Sequence, residues 1–181
     1  MAASDAKIAM IIAPKGFQDI EFSVPRNFFM QKGATVDVYS TVKGTATGSF
    51  GSTFAVEHSL KDLNINQYDA IVFIGGPGTP ILRAYPNSVK IAKDAYDSGK
   101  IVGAICWSPT ILANAGILSG KSFTVWIGTD PEYKMKTDEY ISSKGGNYTG
   151  DDVTIDGNIV TANGPLAAQE YAEKLWQLII R

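Results

Sequence analysis

Short apolar runs alternate along the chain with longer stretches whose apolar residues recur every three or four positions. Lys7 to Ala13, Ala34 to Ser40 and Tyr68 to Ile74 are runs of the first kind and read as buried strands. Gly16 to Lys32 and Pro86 to Ser98 are of the second kind and read as helices, with Gly99 stopping the latter. Between Gly44 and Glu57, glycines and alternating Thr, Val and Phe predict a small hairpin. Lys100 to Ile105 predicts a central strand, and Pro109 to Gly116 a short helix with Ser108 as its cap. Further on, Phe123 to Ile127 reads as a strand and Pro131 to Lys144 as a helix. Val153 to Ile155 and Asn158 to Ala162 form a hairpin around Asp156-Gly157, and Pro165 to Ile180 is a closing amphipathic helix. Strands that alternate with helices imply an α/β fold, a mainly parallel sheet covered on both faces. Sites in such sheets gather outside the carboxyl ends of the strands.

Composition narrows the class without naming a function. The chain has 181 residues, 45% hydrophobic and 19% charged, as expected for one domain with a substantial core over residues 1–181, after a short flexible tail at 1–6. A formal charge of −2 with scattered Lys and Arg gives no footprint for nucleic acid or an anionic membrane. No apolar run approaches the length of a membrane span, and Ile8 to Ala13 is too short for a signal-peptide core. One cysteine and one histidine leave no internal disulfide and no zinc cluster, so neither metal nor cofactor is expected. A cytoplasmic location is the default expectation.

Chemistry concentrates at that one cysteine. Cys106 ends the apolar run Lys100 to Ile105 and falls at a tight strand-to-helix turn, where a helix N-terminus favours thiolate. The competing reading is a small buried hydrophobe. Glu21 lies within the arc of Phe17, Ile20, Val24 and Phe28 on the first predicted helix, so it is either a buried acid or an acid that reaches solvent past a broad stripe. A buried carboxyl stays protonated and can donate to a thiolate. Gly75-Gly76-Pro77-Gly78 ends another strand, where the amides of Gly76 and Trp107 make a plausible oxyanion hole, or else the glycines serve only the turn. His58 falls at a surface junction and is not expected to serve as catalytic base; Asp151-Asp152 reads as solvated turn.

Together, Gly16-Phe17-Gln18-Asp19-Ile20-Glu21, Tyr68-Asp69-Ala70 leading to Gly75-Gly76, Ala104-Ile105-Cys106-Trp107-Ser108-Pro109, and Asp156-Gly157-Asn158 before Thr161-Ala162-Asn163-Gly164-Pro165 resemble the DJ-1/PfpI family of the class I glutamine amidotransferase-like superfamily. The resemblance runs from about Lys7 to Ile179. It implies a flavodoxin-like three-layer sandwich with Cys106 at a nucleophile elbow, Glu21 bonded to the sulfur, and Gly76 and Trp107 as oxyanion-hole positions. It implies a homodimer or higher homo-oligomer, and a small-molecule electrophile as partner. The activity implied is glyoxalase- or deglycase-like action on reactive carbonyls. Alternatives are redox sensing or chaperone action through cysteine oxidation to sulfinate, peptidase action, and a scaffold without catalysis. Peptidase-like members carry histidine directly after the nucleophile, where this chain has Trp107; other members place one on the following strand, where Ser122 to Ile127 has none. Asn163 stands near where some members have arginine. These departures disfavour a Cys-His-Glu mechanism and leave Glu21 as the acid and base.

Overall fold

The computed structural model describes residues 5–181. Along it run β1 (Lys7–Ile11), β2 (Lys15–Phe17), α1 (Asp19–Gln31), β3 (Thr35–Ser40), β4 (Gly44–Gly48), β5 (Thr53–Val56), β6 (His58–Ser59) and β7 (Ala70–Phe73). Next come α2 (Thr79–Ala84), α3 (Pro86–Asp97), β8 (Ile101–Ile105), α4 (Pro109–Asn114), β9 (Ser122–Phe123), β10 (Thr129–Asp130) and β11 (Met135–Lys136). After these follow α5 (Thr137–Ser143), β12 (Asn147–Tyr148), β13 (Val153–Asp156), β14 (Ile159–Ala162) and α6 (Ala168–Ile179).

The central sheet has the order β13-β14-β8-β7-β1-β3-β6. Its pairings are parallel except that of β13 with β14. Successive side chains of a strand point to opposite faces. In β1 and its extension, Ile8, Met10 and Ile12 therefore join the core under α1 and α6, while Ala9, Ile11 and Ala13 join the core under α3 and α4. The result is the expected three-layer, flavodoxin-like α/β sandwich. From β1 the sheet grows one way through β3 to β6 and the other way through β7, β8 and β14. The carboxyl ends of β1 and β7 flank that reversal, the crevice where open α/β sheets hold ligands.

Several local expectations need correction. The first helix starts at Asp19 rather than Gly16, because Lys15–Phe17 pairs with β4 as a strand. Its apolar phase also differs: Ile20 is 49% exposed, and the buried set is Glu21, Phe22, Pro25 and Phe29. Of the strand expected over Phe123 to Ile127, only Phe123 lies in a sheet, paired in β9 together with Ser122. The helix expected from Pro131 shrinks to α5, since Thr129–Asp130 and Met135–Lys136 form a hairpin first. Helix α2 and the short strands β2 and β6 were not anticipated; each is too short to show a period.

Of the expected tail over residues 1–6, residues 1–4 lie outside the described residues. Ala6 is buried, and its carbonyl accepts the Thr35 N–H at 2.9 Å. Among the described residues, no helix is long and apolar enough to cross a membrane.

Candidate active site

Cys106 follows directly on β8 with φ of 63°, a conformation that costs a non-glycine residue strain and persists only where its surroundings hold it. They do so on both sides. The Cys106 N–H donates to Ala162 O at 2.8 Å, and its carbonyl accepts from Trp126 N at 2.9 Å. Ser108 does not cap α4 as expected. Its hydroxyl accepts from Ile105 N at 2.9 Å and lies 2.8 and 3.0 Å from the carbonyls of Ile105 and Phe73, tying the elbow to β7 and β8.

Glu21 reaches this turn from the first turn of α1. Gln18 caps that helix through its side chain, accepting from Glu21 N at 2.8 Å, and its own N–H donates to Gly75 O at 2.9 Å. The Glu21 carboxyl is fully buried, and Oε2 accepts from Gly75 N at 3.0 Å. Oε1 has no hydrogen-bond partner, and the carboxyl as a whole interacts with the adjacent Cys106 thiol.

The diglycine is required by close approach. A Cβ on Gly75 would collide with Ile105 O and lie 2.7 Å from Cys106 Cβ and 2.8 Å from Glu21 Oε2. Gly76 has φ of 109°, and a Cβ there would sit 2.5 Å from Gln18 N. Absence of side chains thus lets the acid and the thiol meet, and turns the amides of Gly76 and Trp107 toward the sulfur.

Burial sets the proton affinities. Desolvation pushes the Glu21 carboxyl from 4.5 to about 7, although the thiol and the Gly75 N–H favour its charge. Burial also pushes the Cys106 thiol up, the Glu21 charge adds to this, and the two amides oppose it. The lowered thiol expected from the helix N-terminus is therefore not what the resting pocket produces. Helix α4 is six residues long, and its end effect is outweighed by desolvation and an adjacent carboxylate. The two groups titrate as a pair: an ionised Glu21 keeps the thiol protonated, whereas a protonated Glu21 can donate to a thiolate.

A cleft of about 520 Å³ opens onto the sulfur, which leaves Cys106 8% exposed. Phe50, Pro77, Trp107, Trp126 and Pro165 form most of its wall, and no histidine lines it. His58 is exposed on β6, at the sheet edge, its ring 5.1 Å from that of Tyr39. Asn163 donates to Asp152 Oδ1 at 3.0 Å instead of facing the cleft. Asp19 holds the loop carrying Phe50, accepting from Phe50 N at 2.8 Å and Ser52 N at 2.9 Å.

Sequence reading missed Asp130 and Arg83. Asp130 is buried and accepts the Trp107 indole N–H at 2.8 Å. Arg83 grips it with Nη1 at 2.6 Å and Nη2 at 3.1 Å. Burial works against the Asp130 charge, but hydrogen bonds from Arg83 and Trp107 prevail and hold the carboxyl below its ordinary range. The one signal available was a lone arginine inside the apolar segment Pro80-Ile81-Leu82-Arg83-Ala84.

Fold and turn together define a class: a flavodoxin-like α/β protein with a cysteine at the elbow after a central strand. Within that class the chain belongs to the DJ-1/PfpI family, whose model matches residues 6–178. It is 39% identical to an uncharacterized protein of Methanocaldococcus jannaschii, over 97% of this chain and 83% of that one. It is 31% identical to a deglycase of Thermococcus kodakarensis, over 86% of this chain and 89% of that one. Among solved structures, a ThiJ/PfpI domain protein from Brachyspira murdochii superposes with a TM-score of 0.88 at 28% identity, covering 96% of each chain.

Proposed function

We propose that the chain is a cysteine-dependent enzyme acting on small reactive carbonyls, in the manner of a glyoxalase or deglycase and without a catalytic histidine. The observation that carries this reading is a buried carboxyl titrating at about 7 beside an elbow thiol that two backbone amides also face. The deglycase name of the Thermococcus relative supports it. With Glu21 ionised, the thiol proton passes to the carboxylate as sulfur bonds to the carbonyl carbon. The carbonyl electron pair moves to oxygen, facing the amides of Gly76 and Trp107. For an α-oxoaldehyde, the oxyanion takes a proton and the adduct is a hemithioacetal. Glu21 carboxylate then moves a proton from the hemithioacetal carbon to its neighbour, while the hydroxyl proton of the hemithioacetal passes to the neighbouring carbonyl oxygen, leaving a thioester. Water hydrolyses it to a hydroxy acid, so no external oxidant or reductant is needed.

Methylglyoxal consumption by the purified chain tests this. Cys106→Ser is expected to lower kcat/KM about a thousandfold or more, and Glu21→Gln about a hundredfold. The wild-type rate should rise with pH to a plateau above about 7, as Glu21 ionises. Unchanged turnover in either variant refutes the assignment.

A second reading rests on the same geometry. A protonated Glu21 and two amides suit the oxygens of a sulfinate, making oxidation of Cys106 a sensing event. Mild peroxide should then add two oxygens at Cys106 in wild type, and less in Glu21→Gln, by intact mass. A thiol that stays reduced argues against sensing. The expected homo-oligomer finds support in Phe50, 82% exposed, and in Leu166, fully exposed beside Pro165; both are apolar surface that a second copy would cover.

A further inference from the structure

Trp107 is the residue after the nucleophile, and its indole is held in a way that its fold position does not require. The ring N–H is bonded to Asp130, which comes from the β10–β11 hairpin. Asp130 is in turn held by Arg83 of α2, and Arg83 also donates to Thr110 Oγ1 of α4 at 3.1 Å. The Arg83 guanidinium lies 4.4 Å over the Tyr133 ring. Two side chains, from α2 and from the elbow turn, thus converge on one buried carboxylate. Burying two charges is expensive, and an apolar pair of similar volume would fold about as well. What an apolar pair could not do is grip the indole. Of the groups hydrogen-bonded to Asp130, only Trp107 also lines the Cys106 cleft.

The gripped ring faces a second one. Trp107 and Trp126 have ring centroids 5.3 Å apart at 40°, and Phe50 stands on the same cleft. Among the described residues, no ionised side chain lines the cleft apart from Cys106 itself when deprotonated, and most of its surface is aromatic or proline. An anionic carbonyl would lose its hydration there with no cation in return, whereas a flat apolar group would stack.

We propose that Arg83 and Asp130 are positioning residues that lock the Trp107 indole as the specificity wall of the cleft. The wall makes uncharged α-oxoaldehydes with a flat, apolar substituent the preferred substrates over small or anionic carbonyls. This proposal rests on Cys106 being the reacting group, and its test is separable from turnover. Trp107→Phe keeps an aromatic ring and removes the bond to Asp130.

In the full chain, kcat/KM is measured with phenylglyoxal, methylglyoxal and glyoxylate. Alkylation of Cys106 is timed with N-phenylmaleimide and with iodoacetamide. Wild type should favour phenylglyoxal over methylglyoxal about tenfold and barely turn over glyoxylate. Trp107→Phe should lose most of that preference, and lose it through KM rather than through kcat. The ratio of the two alkylation rates should fall about fivefold in the variant, even if the chain turns over no carbonyl. That last pattern would refute the enzymatic reading and support the wall. A preference for phenylglyoxal or the phenyl reagent that survives in Trp107→Phe, or is absent from wild type, overturns the proposal.

Discussion

Asp130→Ala is expected to remove about 3–5 kcal/mol of folding free energy in urea denaturation, among the largest effects open to a single substitution outside the apolar core. Asp130 is fully buried and Arg83 is 5% exposed, so the alanine variant leaves a guanidinium in the interior without its bidentate partner. Glu132 remains bonded to Arg83 at 2.7 Å, but its side chain is largely exposed, and a pair of that kind contributes little. The double variant Arg83→Met/Asp130→Leu should recover most of the loss, because the desolvation penalty disappears with both charges. It should not restore the hold on Trp107. A loss below about 1 kcal/mol for Asp130→Ala would mean that water reaches the guanidinium, contrary to the geometry.

The second large effect depends on pH. Glu21 titrates at about 7 in the folded chain and at 4.5 without burial, so between those values the folded state binds the extra proton. Its contribution to stability is therefore complete below about 4.5, falls as pH rises to about 7, and changes little above that. At about 1.4 kcal/mol for each tenfold change in proton affinity, the fall comes to about 3 kcal/mol. Read as the difference in unfolding free energy between wild type and Glu21→Gln, the advantage of glutamate should shrink by that amount across this window. Repeating the comparison in a Cys106→Ser background removes the coupled thiol. A difference that stays flat from pH 4.5 to 7 would show that the carboxyl is hydrated in the folded chain.

Both effects concern ionised or ionisable groups in the interior, and the sequence was unequally informative about them. Glu21 was visible as a carboxyl within an apolar stripe. The stripe was assigned the wrong phase, since Phe17 belongs to a strand and Ile20 faces outward. Of the two readings left open, the buried acid is the one found, because Glu21 neighbours Phe22 and precedes Pro25 by four positions, which puts it on the true buried face. Asp130 offered no such cue. It sits in Thr129-Asp130-Pro131-Glu132, which by composition is an exposed turn, and its burial comes from Arg83, 47 residues away in sequence.

Local chemistry was legible because it repeats at short range. Apolar runs of five or six residues marked the parallel strands, alternation at the two glycine-rich ends marked the hairpins, and a lone cysteine at the end of a strand marked the elbow. Short-range signals also placed the diglycine at a neighbouring strand end. Tertiary structure decided what those residues experience. The sequence by itself suggested that a helix end would lower the thiol, since a helix terminus can be read locally. Desolvation and the facing carboxyl reverse that direction, because they depend on which surfaces the sheet brings together and how much water is left between them. For Cys106, the sequence determined that the sulfur would stand at the end of a central strand, and only the folded chain decided that a buried carboxyl and an aromatic cleft would face it.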